Sequence, residues 1–252
     1  MWGVSGTAPS LTTIHEYTVT QCAGQPVPPP TPTTGAQITI TFDDGWKTTI
    51  TNAYPVLRDL GLKGNVAVNP QPIDERWSSY MVLADLNALK AAGWSIVSHS
   101  TSHPDLTTLT ADALDRELKE SQAWVQAKGF GPTNVFIVPF HSWGARERTA
   151  IAKYYKYARG YTVDQFYPER YVKMPITTPL DLTAYEPEFA PFTTAAGRAS
   201  TMAKVKRAID EGNYLDLMFH KITTAQIPAF KELMSQVAAY KANIRTFAEV
   251  AK

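Results

Sequence analysis

Cysteine is nearly absent from this chain. It holds one, Cys22, in 252 residues, so no intrachain disulfide can form and the redox compartment stays open. No apolar run approaches the roughly 20 residues needed to cross a bilayer. Dense Lys/Arg runs are missing too, and the formal net charge is only +1. That balance gives no electrostatic footprint for nucleic acid or for an anionic membrane surface. The N-terminus, MWGVSGTAPSLTTIHEYTVTQ, lacks a basic start followed by an apolar core, so no secretory signal is read and cellular location is left open. No internal repeat is visible.

What remains is an ordinary globular composition, 44% hydrophobic and 19% charged. The length suits one main domain. Residues 1–36 stand apart from the rest. They carry a Pro/Thr stretch from Gln25 to Thr34 that favours extended polyproline II and excludes helix. The segment is too small to hold its own core. It is read as a linker, or as an arm through which a partner protein docks, with residues 37–252 as the main domain.

From Gln37 onward, strand-like and helix-like segments alternate, as parallel βαβ units do. Strands are expected at Ile38–Phe42, Asn65–Val68, Trp94–Ser98, Val135–Val138, Tyr157–Thr162, Tyr214–Phe219 and Asn243–Phe247. Helices are expected at Thr48–Leu60, Val82–Ala92, Thr110–Lys128, Ala145–Tyr155, Ser200–Glu211 and Ala225–Tyr240. The Pro- and Thr-rich stretch Phe166–Phe192 reads as irregular. The expected fold is therefore α/β, a distorted (β/α) barrel of about seven strand–helix units with an N-terminal extended arm.

In such a barrel, chemistry gathers at the C-terminal ends of the strands. Asp43 and Asp44 follow the first expected strand, and His99 and His103 follow the third. Pro139, Phe140 and His141 follow the fourth, and His220 follows Tyr214–Phe219. Neighbouring residues on extended backbone point in opposite directions, so one aspartate can ligate a cation while the other stays free as a base. Gly45 permits the tight turn that lets both face the mouth. Pro104 biases His103 away from helix, so the two histidines belong to a loop. Two imidazoles and one carboxylate form an open three-ligand set that suits zinc, cobalt, iron or nickel. His141 and His15 read as surface or supporting polar residues.

Thr41-Phe-Asp-Asp-Gly45, His99-Ser-Thr-Ser-His103-Pro104 and Leu217-Met-Phe-His220 together resemble the polysaccharide deacetylases of the NodB-homology type, carbohydrate esterase family 4. The resemblance spans roughly residues 37–250. It implies hydrolysis of acetyl groups on a carbohydrate polymer, with a divalent metal, foremost zinc, held by Asp44, His99 and His103. It implies Asp43 as general base, His220 as general acid and the backbone N–H of Phe140 as an oxyanion donor. Asp164 is the expected acidic partner of His220. Pro139, Trp143 and Met218 are expected at the substrate, and Trp46, Trp77, Trp143 and Tyr167 offer rings for stacking on sugars, with ordinary packing expected of at least two of the four. Cellular location stays open, with extracellular or cell-wall-directed action as the expectation.

The fourth motif is blurred, with Asp164 in Gly160-Tyr-Thr-Val-Asp164 as its acidic residue, and the third departs from the family. Its third motif reads Arg-x-Pro-Tyr/Phe, whereas Ile137-Val-Pro139-Phe140 has isoleucine at the arginine position. In the family that arginine orients the base, and Arg146 and Arg148 are the nearest replacements in sequence. Two other readings stand beside the deacetylase. One is a carbohydrate-binding or structural component weakened by Ile137, and the other is a small amide or imide hydrolase on the same scaffold.

Overall fold

The computed structural model describes residues 35–162, 171–188 and 191–252. Seven parallel strands close into a barrel: β1 Gln37–Phe42, β2 Asn65–Val68, β3 Ser95–Ser98, β4 Val135–Ile137, β5 Tyr157–Thr162, β7 Leu182–Tyr185 and β8 Asn213–Phe219. Closure comes from six in-register pairs between β8 and β1, Gln37↔Tyr214 through Phe42↔Phe219. A two-residue strand, β6 Val172–Lys173, runs antiparallel to the start of β8. The seam between β3 and β4 rests on one ladder pair, Ser98↔Phe136, and that thinness is the distortion of the barrel.

Alternation along the strands sorts the side chains. On β1, Ile38, Ile40 and Phe42 join the large apolar cluster packed by the helices, while Thr39, Thr41 and Asp43 take the opposite face. A second cluster fills the lumen: Ala67, Val97, Val135, Ile137, Leu182 and Tyr214 among others, with Phe247 of the terminal helix α8 (Phe247–Val250) plugging it. The helices between strands are α1 Tyr54–Asp59, α2 Pro70–Asp74, α3 Leu83–Ala91, α4 Ala111–Ala127, α5 Ala145–Ile151 and α6 Ala195–Asp210, with α7 Ile227–Val237 after β8. Thr110 and Thr194 cap α4 and α6 by accepting from the amides of Ala113 and Gly197.

Seven barrel strands were expected, and seven are present, but one expected strand is not among them. Asn243–Phe247 makes a single bridge, Ile38↔Ile244, before Thr246 turns the chain into α8. The missing place is taken by β7, inside the stretch expected to be irregular. Four residues between prolines carry too short a pattern to register as a strand, and burial between β5 and β8 overrides the local signal. Residues 1–34 of the expected arm lie outside the described residues.

Candidate active site

The site grows from the mouth of the barrel, where five non-glycine residues take left-handed backbone: Asp44, Ser100, His103, Phe140 and His141, with φ between 53° and 72°. Such backbone costs energy for a side chain with a Cβ, and it collects where a fold serves chemistry. Asp44 itself leaves the extended region at φ 72°, followed by Gly45 at 79°. Both residues make the turn that was expected of Gly45 alone.

Asp44, His99 and His103 converge. Asp44 Oδ1 lies 3.4 Å from His99 Nε2 and 3.2 Å from His103 Nε2. That oxygen is buried and has no hydrogen-bond partner, while Oδ2 accepts from Trp46 Nε1 at 2.7 Å. His99 Nδ1 faces the carbonyl oxygen of Ile137 at 2.9 Å, which places the proton on Nδ1 and leaves the Nε2 lone pair for the site. His103 sits in a loop as expected, its amide donating to Ser100 Oγ at 3.1 Å. Glu117 of α4 holds the loop's crest, accepting from the amides of Thr101 and Ser102. A buried, unpartnered carboxylate oxygen between two imidazole nitrogens is the donor set that a borderline divalent cation takes. Burial would raise the Asp44 carboxyl, but the two histidines outweigh it and hold it well below the carboxylate range. His103 is pushed down to about 4 by burial and by His99, so it stays neutral and free to ligate.

Asp43 points to the lumen side of the same turn and is almost fully buried. Arg159 Nη2 donates to both of its oxygens, at 2.6 and 2.7 Å. Burial would raise this carboxyl, and Arg159, His99 and His220 together bring it below its ordinary value. Arg159 stands on β5 as the ladder partner of Ile137 on β4. Neither arginine nearest in sequence reaches Asp43: Arg146 binds Glu147 and the Leu106 and Leu109 carbonyls, and Arg148 binds Asp181 and Tyr161.

On the other rim, His220 Nδ1 meets Glu188 Oε2 at 3.0 Å and Glu186 Oε1 at 3.4 Å. Burial opposes a charge on this ring, but Glu188 and Asp43 raise its pKa to about 9. Glu186 is pushed up to about 7 by burial and by Glu188. Asp164, the expected partner of His220, lies outside the described residues, and among the described ones the two glutamates hold that position.

The polysaccharide deacetylase family model matches residues 31–158, just over half of the chain. This chain is a polysaccharide deacetylase family member. YxkH of Bacillus subtilis, named as a candidate polysaccharide deacetylase, is 29% identical over 85 residues. That match covers 34% of this chain and only 30% of the relative. Among solved structures, the carbohydrate esterase family 4 domain of a xylanase from a Trinervitermes trinervoides hindgut metagenome superposes with a TM-score of 0.59 at 16% identity. It covers 85% of this chain and 89% of that one. The family 4 carbohydrate esterase of Streptomyces lividans, solved with acetate, gives 0.55 at 19%, covering 84% and 91%. A family 4 pseudoenzyme from Bacillus anthracis gives 0.58 at 14%, covering 87% and 66%. At these identities the likeness shows the fold alone. A barrel shared by an esterase and a pseudoenzyme leaves the decision on activity to the site residues.

The remaining residues fall unevenly around this deacetylase family site. Phe140 is 64% exposed, its ring edge-on to His103 at 4.5 Å. Pro139 and Met218 are buried, and the Met218 thioether accepts from Arg159 Nη1 at 2.9 Å. Trp143 lies under Arg148, 4.3 Å from its ring centre, with Tyr161 beside it, so neighbours within the protein cover its rings. Trp46 is likewise enclosed, between Tyr80 at 4.3 Å and Lys221 at 3.5 Å. Trp77, 45% exposed, shares a cleft with Asp44, Asn69, His103 and Phe140. Tyr167 and His15 lie outside the described residues. His141 was read as a surface or supporting residue, yet its Nδ1 is buried without a partner. Burial and Arg159 push it down to about 3, so the ring is neutral. Arg159, Glu186 and Glu188 were not singled out from the sequence at all.

Proposed function

We propose that this protein hydrolyses acetyl groups from a carbohydrate polymer, with N-acetylglucosamine polymers and acetylxylan as the substrate class. One observation carries the reading: the buried, unpartnered Asp44 Oδ1 faces two imidazole nitrogens, with a salt-bridged aspartate on one side and a carboxylate-backed histidine on the other. A divalent cation, foremost zinc, held by Asp44, His99 and His103 would polarise the acetyl carbonyl and acidify a water molecule.

The chain's own groups supply the rest. Asp43, ionised and held by Arg159, accepts the proton of the attacking water. The backbone N–H of Phe140 donates to the developing oxyanion. His220, charged because Glu188 backs it, hands its proton to the departing amine or alkoxide. Trp77 and Phe140 flank the cleft where a sugar ring would lie, and both rings are exposed there. The alternative of a weakened carbohydrate-binding or structural component starts from Ile137, and Arg159 supports the active reading, since it supplies a guanidinium to Asp43 from the strand beside Ile137.

The test is acetate release from N-acetylglucosamine oligomers, peptidoglycan and acetylxylan, with zinc or cobalt added. Release that stops on chelation and in Asp43→Asn supports the proposal. Stoichiometric metal binding without release from any of the three overturns it.

A further inference from the structure

Asp216 sits in the middle of β8 with no solvent exposure, and the chemistry above makes no use of it. A buried carboxylate is costly unless paired and hydrogen-bonded, so its surroundings need a reason. Its Oδ1 accepts from Thr39 Oγ1 and Thr41 Oγ1, both at 2.6 Å. Its Oδ2 lies 3.2 Å from Arg159 Nε, an ion pair without hydrogen-bond geometry. The same guanidinium holds Asp43 through Nη2 and reaches Met218 Sδ through Nη1.

The carboxylates and threonines come from the adjacent strands β1 and β8, and Arg159 reaches them from β5, with β7 between. Thr39, Thr41 and Asp43 alternate along β1, and the ladder pairs Thr39 with Asp216 and Thr41 with Met218. A guanidinium is planar and rigid, so anchoring its Nε side fixes the angle at which its other end meets a carboxylate. Charge balance alone would call for one carboxylate beside one arginine. Two are present, and among the described residues the second meets the Nε side of the guanidinium and the two threonines.

We propose that Asp216 is a positioning residue, which sets the orientation of the Asp43 carboxylate by clamping Arg159 from behind. The inference rests on the deacetylase reading of Asp43 as base. An arginine arriving from β5 rather than β4 needs its own anchor, and β8 supplies it through Asp216.

A double-mutant cycle tests this in the full chain, loaded with zinc and assayed on N-acetylglucosamine oligomers. Asp216→Asn should lower kcat on the order of tenfold to a hundredfold, as small misplacement of a catalytic group does, and leave KM nearly unchanged. Adding it to Arg159→Met should cost little more than Arg159→Met alone, because residues that act as a unit are not additive. Losses that multiply, or a loss in KM with kcat intact, overturn the proposal. If Asp216→Asn fails to fold, Thr39→Val with Thr41→Val loosens the same carboxylate while keeping its charge. That pair should lower kcat, and unchanged kcat there overturns the clamp. A wild-type protein that releases no acetate overturns the deacetylase reading and this inference with it, whereas multiplying losses in an active protein overturn this inference alone.

Discussion

Ile137 and Arg159 are ladder partners on neighbouring strands, and the guanidinium that β4 lacks is delivered to Asp43 from β5. Asp43 keeps an arginine, whose Nη2 donates to both of its oxygens, although the third motif of this chain lacks one. The substitution at Ile137 also keeps a role for the backbone there, since its carbonyl faces His99 Nδ1.

Arg159→Met should therefore be severe in two ways. Removing one partner of a buried ion pair leaves a buried charge uncompensated, at a cost of about 3–5 kcal/mol. Urea unfolding reads that loss. The turnover of the surviving folded protein should fall on the order of a hundredfold or more, as expected for a misplaced general base. Arg146→Ala and Arg148→Ala should leave turnover close to wild type, because both guanidinium groups are engaged elsewhere.

Metal binding should follow Asp44, His99 and His103 individually. Alanine at any of the three should abolish stoichiometric zinc uptake in equilibrium dialysis, and uptake that persists in all three would remove them as ligands. Trp46→Phe keeps the stacking on Tyr80 but removes the donor to Asp44 Oδ2. Zinc affinity should then drop by roughly 10–100-fold, the usual effect of losing a group that orients a ligand.

The alkaline limb of turnover should report His220. Its pKa, raised to about 9, keeps the acid protonated below that value, and the rate should fall as pH rises through it. Glu188→Gln withdraws the charge and acceptor that sustain the shift, so the limb should move to lower pH. The stability tied to this raised pKa has the same sign. It is complete below the ordinary value of 6.5 and is lost as pH rises through about 9. An alkaline limb that stays in place in Glu188→Gln would exclude the histidine as the acid.

Trp77→Ala should weaken binding of oligomers, seen as a raised KM with kcat largely kept, because its exposed ring lines the cleft without touching the reacting groups. Trp143→Ala should instead lower stability, since that ring packs beneath Arg148 and beside Tyr161. Chemical unfolding and oligomer kinetics on the two variants separate the roles.

Much of this was legible because strand ends and motifs are local. Asp43, His99 and His220 each end a short apolar run, which puts them at the barrel mouth, and Asp44 and His103 come there through the turns that follow. Two signals were present but not taken up. Arg159 and Asp216 are opposite charges in the middle of strands that are otherwise apolar or aromatic, Tyr157–Thr162 and Asn213–Phe219. Charges in buried strands need partners, and each was the other's. The glutamates behind His220 were hidden for another reason. They follow β7, whose four residues between prolines carry no readable period.

The sequence by itself determined the α/β barrel, the family and the five polar residues at its mouth, because period-two burial and short motifs act over neighbouring residues. The tertiary structure decided which arginine serves Asp43, which carboxylates back His220 and which strand closes the barrel beside β8. The first pairing joins residues 116 positions apart, and His220 with Glu188 and the β7–β8 ladder pairs are each 32 apart, so only the closed ladder brings them within bonding distance.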